Sequence, residues 1–321
     1  MRSRLVLIAA CLLALAIPAT ASAKYTVGIS ENQPTMFSDP LFKQLGPKYA
    51  RVVVAWDVIA RGGFDLTRVE QYLQAAQAAG VQPLVTFEHS RGDASRCNLR
   101  RNFNTRVCRL PTAAQYDAAI KAFLTRFPSV KVIAPWNEAN HFTQPTSRNA
   151  RAAARFTDIV HADCPSCTLV VADMLDQADD PAAKHPTFKT TAAYIKTFRR
   201  ALKTPRTICG IHNYSDVNRF RTTGTKALMR ALGCKQYWLT ETGGLYKFGS
   251  FWSKRTYHGC RSASVCQLKA TRYLFGKTAR NSRIKRIYVY TWFGGVTSRF
   301  DAGLVNGGKA RPAYYDVAKH V

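Results

Sequence analysis

Eight short runs rich in β-branched residues recur along the chain, each followed by a segment with helical periodicity. They cover Thr26–Ser30, Tyr49–Asp57, Gln82–Ser90, Lys131–Asn140, Thr168–Met174, Thr207–Ser215, Gln236–Gly243 and Arg286–Gly294. Their centres, such as Val52-Val53-Val54 and Leu169-Val170-Val171, are continuously apolar. A strand covered on both faces carries such a run, and that is the condition of a parallel sheet. Between the runs, Leu66–Ala79, Tyr116–Phe127, Ser147–His161, Phe188–Leu202, Thr222–Leu232 and Ser262–Ala279 read as helices. Gly80 stands where a C-terminal cap belongs, and Thr112 with Gln115 makes a capping box. Alternation with eight strands predicts an α/β protein built as a single-domain (β/α)8 barrel over residues 24–321, more readily than an open doubly wound sheet. No GxGxxG follows the first strand and no GxxxxGK[ST] occurs, so nucleotide binding in the usual α/β modes has no support. No cofactor is called for.

Carboxylates are scarce in this chain, and their placement is informative. Beyond residue 23 there are five glutamates: Glu31, Glu70, Glu88, Glu138 and Glu241. Glu70 belongs to a helix surface, whereas the other four fall at the C-terminal ends of predicted strands one, three, four and seven. In a barrel that end carries the active site. Glu138 sits in Trp136-Asn137-Glu138-Ala139-Asn140, and Glu241 in Leu239-Thr240-Glu241-Thr242-Gly243-Gly244. Two carboxyl groups facing each other suit acetal cleavage, where one attacks the anomeric carbon and the other protonates the leaving oxygen. The competing reading is two structural carboxylates in unrelated ion pairs.

With these motifs the chain resembles a retaining glycoside hydrolase of the large (β/α)8 clan that includes cellulases, mannanases, xylanases and β-xylosidases. That clan carries an Asn-Glu pair ending strand four, whose Glu is the acid/base, and a nucleophile Glu ending strand seven. The resemblance implies those roles for Glu138 and Glu241, 103 residues apart. It also implies that Arg51 stands near the nucleophile and that His212 and Tyr214, ending strand six, surround it. Asn137 would bond the sugar 2-hydroxyl, and Trp292, ending strand eight, would floor the first sugar subsite. Each has a plainer alternative: a loop-capping Asn, one Arg among many, a buried His, a core Tyr, a core Trp. Glu31, Glu88, His89, Trp56 and His141 are further candidates for the cleft lining. Tyr246, Phe248, Phe251, Trp252 and Tyr257 follow strand seven as either a substrate-binding wall or a self-packed loop.

Residues 1–23 read as a secretory leader, with Arg2 and Arg4 ahead of an apolar stretch from Leu5 to Ile17 and Ala21-Ser22-Ala23 for cleavage. Export outside the cytoplasm makes the eight remaining cysteines disulfide candidates. Sequence neighbours suggest Cys97–Cys108, Cys164–Cys167, Cys209–Cys234 and Cys260–Cys266. The Cys164-Pro-Ser-Cys167 spacing also allows a redox pair or half a zinc site, although no second CxxC accompanies it. No metal is expected.

Charge completes the reading. The chain has 47 Lys and Arg against 19 Asp and Glu, a net +28. The cations spread through every helix and no nucleic-acid motif occurs, so a nucleic-acid target is not expected. An anionic cell-surface or matrix polymer is a more reasonable attraction, with simple solubility as the plain alternative. The expectation is a secreted monomer, without a membrane anchor, acting on a polysaccharide or oligosaccharide. A non-catalytic carbohydrate-binding barrel is the rival, and a transglycosylase would use the same residues.

Overall fold

A computed structural model describes residues 25–92, 96–99, 101, 104–176, 188–249, 260–295 and 299–321. The leader expected over residues 1–23, and Phe251, Trp252 and Tyr257, lie outside the described residues. Eight parallel strands close into a barrel in chain order: Thr26–Ser30, Tyr49–Ala55, Gln82–Glu88, Val132–Ala134, Thr168–Leu175, Ile208–His212, Gln236–Thr242 and Ile284–Tyr290. The eighth pairs with the first over Thr26↔Arg286 to Ser30↔Tyr290, which closes the ring. This is the (β/α)8 barrel that the alternation predicts.

The helices form because apolar faces at helical spacing can be laid on the strands. In Ala113–Arg126, Tyr116, Ile120 and Phe123 are buried, and Thr112 and Gln115 cap one another's backbone as the box requires. Between strands and helices lies the main core, in which Phe87, Tyr116, Phe156 and Trp136 stack or meet edge to face. Leu84, Val132, Ala134, Val170, Ile208, Trp238 and Tyr288 form a separate smaller cluster. Register places Leu84, Val132, Val170 and Ile208 on one continuous face of neighbouring strands, and that face is the barrel interior. Below it the Arg286 guanidinium lies 3.7 Å from the Tyr49 ring and 4.2 Å from the Trp238 ring.

Above this apolar layer the strands change character. Register shifts fall between Val170 and Asp173, and between Gly210 and His212. Such irregularities re-aim side chains next to active sites. Here they turn Asp173 and Glu241 toward the barrel mouth. Gly210 is required at this level: a Cβ there would collide with the Asp173 carboxylate, the Thr240 hydroxyl and the Ala172 carbonyl.

Three of the four expected disulfides are present: Cys97–Cys108, Cys164–Cys167 and Cys209–Cys234. The fourth is not. Cys260 and Cys266 are free thiols, with Cys266 buried on the helix Ala263–Gly276 and Cys260 ahead of its cap. Burial and the hydrogen-bonded Cys260 thiol push Cys266 up to about 12. No helix among the described residues is long and apolar enough to cross a membrane. The disulfides fit an extracellular protein.

Candidate active site

Arg51 organises the barrel mouth. It rises from the second strand, fully buried, with every nitrogen engaged. Its Nε donates to Thr86 Oγ1 at 3.1 Å, and Nη1 to Ser30 Oγ at 3.1 Å and Glu241 Oε2 at 2.8 Å. Its Nη2 donates to Asn137 Oδ1 at 2.8 Å and Asp173 Oδ2 at 3.1 Å. Burial opposes its charge, but the Asp173 and Glu241 carboxylates more than offset this and keep it a guanidinium.

His212 ends the sixth strand and bridges the same groups. Its Nε2 lies 3.0 Å from Asp173 Oδ1, and its Nδ1 3.0 Å from Glu138 Oε1 and 3.8 Å from Glu241 Oε2. Burial lowers its basicity, yet the charges of Asp173 and Glu241 and the hydrogen bonds to Asp173 and Glu138 raise it to about 10. The surroundings thus favour the imidazolium, which can donate from both nitrogens. Asp173 experiences the converse: burial would raise it, while the charges of His212 and Arg51 hold it at about 2. Two buried cations share one buried carboxylate, and Thr240 adds a donated hydroxyl.

Glu241 accepts from Arg51 on Oε2 and from the Tyr214 hydroxyl on Oε1 at 2.9 Å. Tyr214 does not end the sixth strand as expected; it opens a short helix, Tyr214–Val217. Asp176 holds that turn by accepting the Ser215 and Asp216 N–H groups. Burial beside Glu241 carries the Tyr214 phenol well above its ordinary range, so it remains a donor.

Glu138 lies in a turn beyond a fourth strand that stops at Ala134, well short of the expected Asn140. Its backbone is left-handed, φ 43°, which costs a residue with a Cβ and persists only where surroundings fix it. Asn137 N donates to Phe87 O at 2.6 Å, Ala139 N to Asp173 O at 3.1 Å, and Asn140 exchanges two bonds with Leu175. Strands three and five thus pin the turn on both sides. One oxygen of Glu138 meets His212; the other lies 3.4 Å from His141 Nδ1. Burial would raise Glu138, but the His212 hydrogen bond and the charges of His141 and His212 leave it below its ordinary value.

The two glutamates come together. An oxygen of each, with one nitrogen of His212, lies within 4.8 Å of the others. That spacing is also one a shared metal ion would accept; in the structure the two carboxylates are engaged by Arg51 and His212.

The remaining candidates divide. Glu31 is not a cleft residue: its carboxylate accepts from Asn32 N, Gln33 N, Thr291 Oγ1, Trp292 N and Phe293 N. It ties the ends of strands one and eight. Trp292 is not a floor either. The strand ends at Tyr290, and the Trp292 indole is fully buried, bonding Asp39 and meeting Phe42 and Tyr314 edge on. Trp56 packs against the core, and His89 is held by the Ser90 carbonyl, the other ring nitrogen 4.0 Å from Glu88. Neither bonds either catalytic candidate. Glu88 pairs with Arg91 at 2.6 Å. Of the loop aromatics, Tyr246 stacks under Arg311, and Phe248 is half exposed against Phe300.

Two residues escaped the sequence reading. Asp173 had a signal, a lone carboxylate in a buried apolar strand. Tyr290 had none beyond its position. Its ring lies 6.3 Å from Tyr214 and 6.0 Å from Phe300, with its phenol raised by burial and by Glu241.

The same barrel is found in solved glycoside hydrolases. A psychrophilic family 10 endo-β-1,4-xylanase matches with a TM-score of 0.60 at 14% identity, over 92% of this chain and 96% of that one. Xylanase XynB from Paenibacillus barcinonensis, bound to a conduramine derivative, matches at 0.62 and 9% identity, over 95% and 99%. A GH113 β-1,4-mannanase matches at 0.54 and 14% identity, over 93% and 98%. No protein-family model and no curated protein matches the sequence. At these identities the likeness is one of fold: a (β/α)8 barrel of the kind these hydrolases use.

Proposed function

We propose that the chain is a secreted retaining O-glycoside hydrolase acting on β-linked polysaccharides or oligosaccharides. The observation that carries this reading is the pair Glu138 and Glu241, facing each other with one oxygen of each within 4.8 Å, in unlike surroundings. Retention calls for carboxyl groups about 5–5.5 Å apart, inversion for about 6.5–9.5 Å. Glu241, aligned by Arg51 and Tyr214, attacks the anomeric carbon while Glu138 protonates the departing oxygen. A glycosyl ester forms on Glu241 and an alcohol leaves. Glu138, now ionised, takes a proton from water, which attacks the same carbon and frees Glu241 with net retention. Asn137, its oxygen held by Arg51, presents its amide nitrogen for the sugar 2-hydroxyl. Tyr290 takes the place foreseen for Trp292 as the ring beneath the sugar. The xylan and mannan activities of the neighbours make β-1,4-linked backbones the first substrates to screen.

Single substitutions test this. Glu241→Ala stops glycosylation of every substrate. Glu138→Ala retains the first step only for activated aryl glycosides, and added azide then speeds turnover and yields the β-glycosyl azide. The α-azide arises from Glu241→Ala, because the face of attack is reversed. Wild-type turnover in both variants on a confirmed substrate overturns the assignment and leaves the carbohydrate-binding barrel as the better account.

A further inference from the structure

Between residues 188 and 235 the chain has eleven Lys and Arg and a single acid, Asp216. Asp216 is buried, its oxygens accepting the Gly224 and Thr225 N–H groups with Arg221 at 3.3 Å. Lys196, Arg199 and Arg200 stand on the helix Phe188–Ala201, whose Ile195 and Phe198 enter the core. With Arg206, Ala192 and Ala231 they line a cleft of about 530 Å³. That volume lies within the range of ligand pockets, about 300–1,000 Å³.

Two of the four cations have a structural task. Arg199 Nη1 donates to Ala231 O at 2.8 Å, and Arg206 Nη1 donates to Leu232 O and to Gly233 O at 3.2 Å. They close the C-terminal turn of the helix Thr223–Leu232, where cations are favoured. Lys196 and Arg200 have none. Both are exposed, and neither has a hydrogen bond or ion pair among the described residues. They stand one turn apart, a like-charge spacing that destabilises a helix. Among the described residues, neither a carboxylate nor a ring lines the cleft, and single-stranded nucleic acid calls for rings as a stacking platform.

We propose that this cleft is a second carbohydrate site, which binds an acidic polysaccharide through its uronate carboxylates. Two guanidinium planes already fixed on the backbone, beside two unpartnered cations, suit repeated carboxylates along a chain. The cleft flanks the start of the sixth strand, at the end of the barrel opposite Glu138 and Glu241. A bound polymer would hold the chain against an acidic matrix without entering the catalytic mouth. The choice of polysaccharide over other polyanions rests on the glycosidase reading; the charge argument does not.

The test measures binding of an oligogalacturonate, its neutral methyl ester and a linear polyphosphate of matched charge. The proteins are the wild type, Lys196→Ala/Arg200→Ala, and Lys43→Ala/Lys48→Ala, which removes equal charge elsewhere. The expected result is oligogalacturonate binding weakened about tenfold in the first variant and less than about twofold in the second, with no binding of the ester. Equal loss in both variants, polyphosphate binding as tight and as sensitive, or no oligogalacturonate binding overturns the proposal. Turnover of a neutral aryl glycoside is read separately, and Lys196→Ala/Arg200→Ala leaves it unchanged. Uronate binding without turnover of any substrate counts against the hydrolase reading alone. Turnover without uronate binding counts against this site alone.

Discussion

Asp173→Asn removes one negative charge from between two buried cations while nearly preserving shape. Asp173 lies 3.1 Å from Arg51 Nη2 and 3.0 Å from His212 Nε2, with all three side chains inaccessible to solvent. Its carboxyl is held at about 2, against an ordinary 3.8. At about 1.4 kcal/mol per unit, that depression contributes between about 2 and 3 kcal/mol at neutral pH. A folded value below the unfolded one means this stability is present above about pH 4 and is lost as pH falls through 2. Independent experience with broken buried ion pairs gives about 3–5 kcal/mol, because the stranded charges lose their partner. Both routes lead to a loss of about 3 kcal/mol. The substitution also removes the largest influence holding His212 near 10, so His212 should titrate much closer to its ordinary 6.5. Urea denaturation at pH 3 and pH 7, with NMR titration of the His212 ring, measures both effects. A variant within about 0.5 kcal/mol of wild type at pH 7, with His212 still charged above pH 9, would refute the reasoning.

Tyr214→Phe deletes the hydroxyl that donates to Glu241 at 2.9 Å; kcat/KM should fall about tenfold to a hundredfold, the value of a hydrogen bond to a charged group, with thermal stability little changed. Gly210→Ala drives a methyl group into the Asp173 carboxylate and the Ala172 carbonyl. It should cost about 1–3 kcal/mol by urea denaturation and perturb the His212 titration, whereas Gly276→Ala, with open space around it, should do neither.

The barrel was legible because a buried parallel strand needs nothing but a run of apolar residues, and eight such runs at regular intervals admit few folds. Strand ends were less so. The expected fourth strand, Lys131–Asn140, is only Val132–Ala134, because the rest forms a turn held by bonds to strands three and five that no local pattern reveals. A strict period of two also hides what a register shift brings inward. That is why Asp173 was missed, although it carries the charge on which Arg51 and His212 depend. Trp292 was placed two residues too far along: the eighth strand ends at Tyr290, and beyond it the chain has left the barrel wall. Glu31 shared the rim with Glu138 and Glu241 in sequence, and only the five donors around its carboxylate mark it as a brace between strands one and eight. Glu138, Glu241, Asn137, Arg51, His212 and Tyr214 do meet at one mouth. Residue type and rim position pointed to Glu138 and Glu241, because the C-terminal rim is where a barrel gathers side chains from distant parts of the chain; the other four came from the family resemblance.

In the proposed mechanism the protonation of Glu138 sets the pH at which the site works. As the acid it must hold a proton when the glycosidic oxygen arrives, yet in the free protein its hydrogen bond to His212 and the nearby His141 keep it below the ordinary 4.5 against the pull of burial. The alkaline limb of kcat/KM for an unactivated glycoside reports that free-enzyme group. It should therefore fall in the acid range, below an ordinary carboxylic acid. An activated aryl glycoside, which leaves without protonation, should show no such limb. His141→Ala removes one of the two imidazoles that lower Glu138 without disturbing Arg51 or Asp173, so it should move the limb upward. His212→Gln should move it further, because desolvation then acts on Glu138 with the larger opposing influence gone. Urea midpoints of both variants separate this effect from simple unfolding, to which only His212→Gln is exposed. If the limb for the unactivated substrate lies near neutrality in the wild type, or stays in place in both variants, then Glu138 is not the group whose proton the leaving oxygen takes.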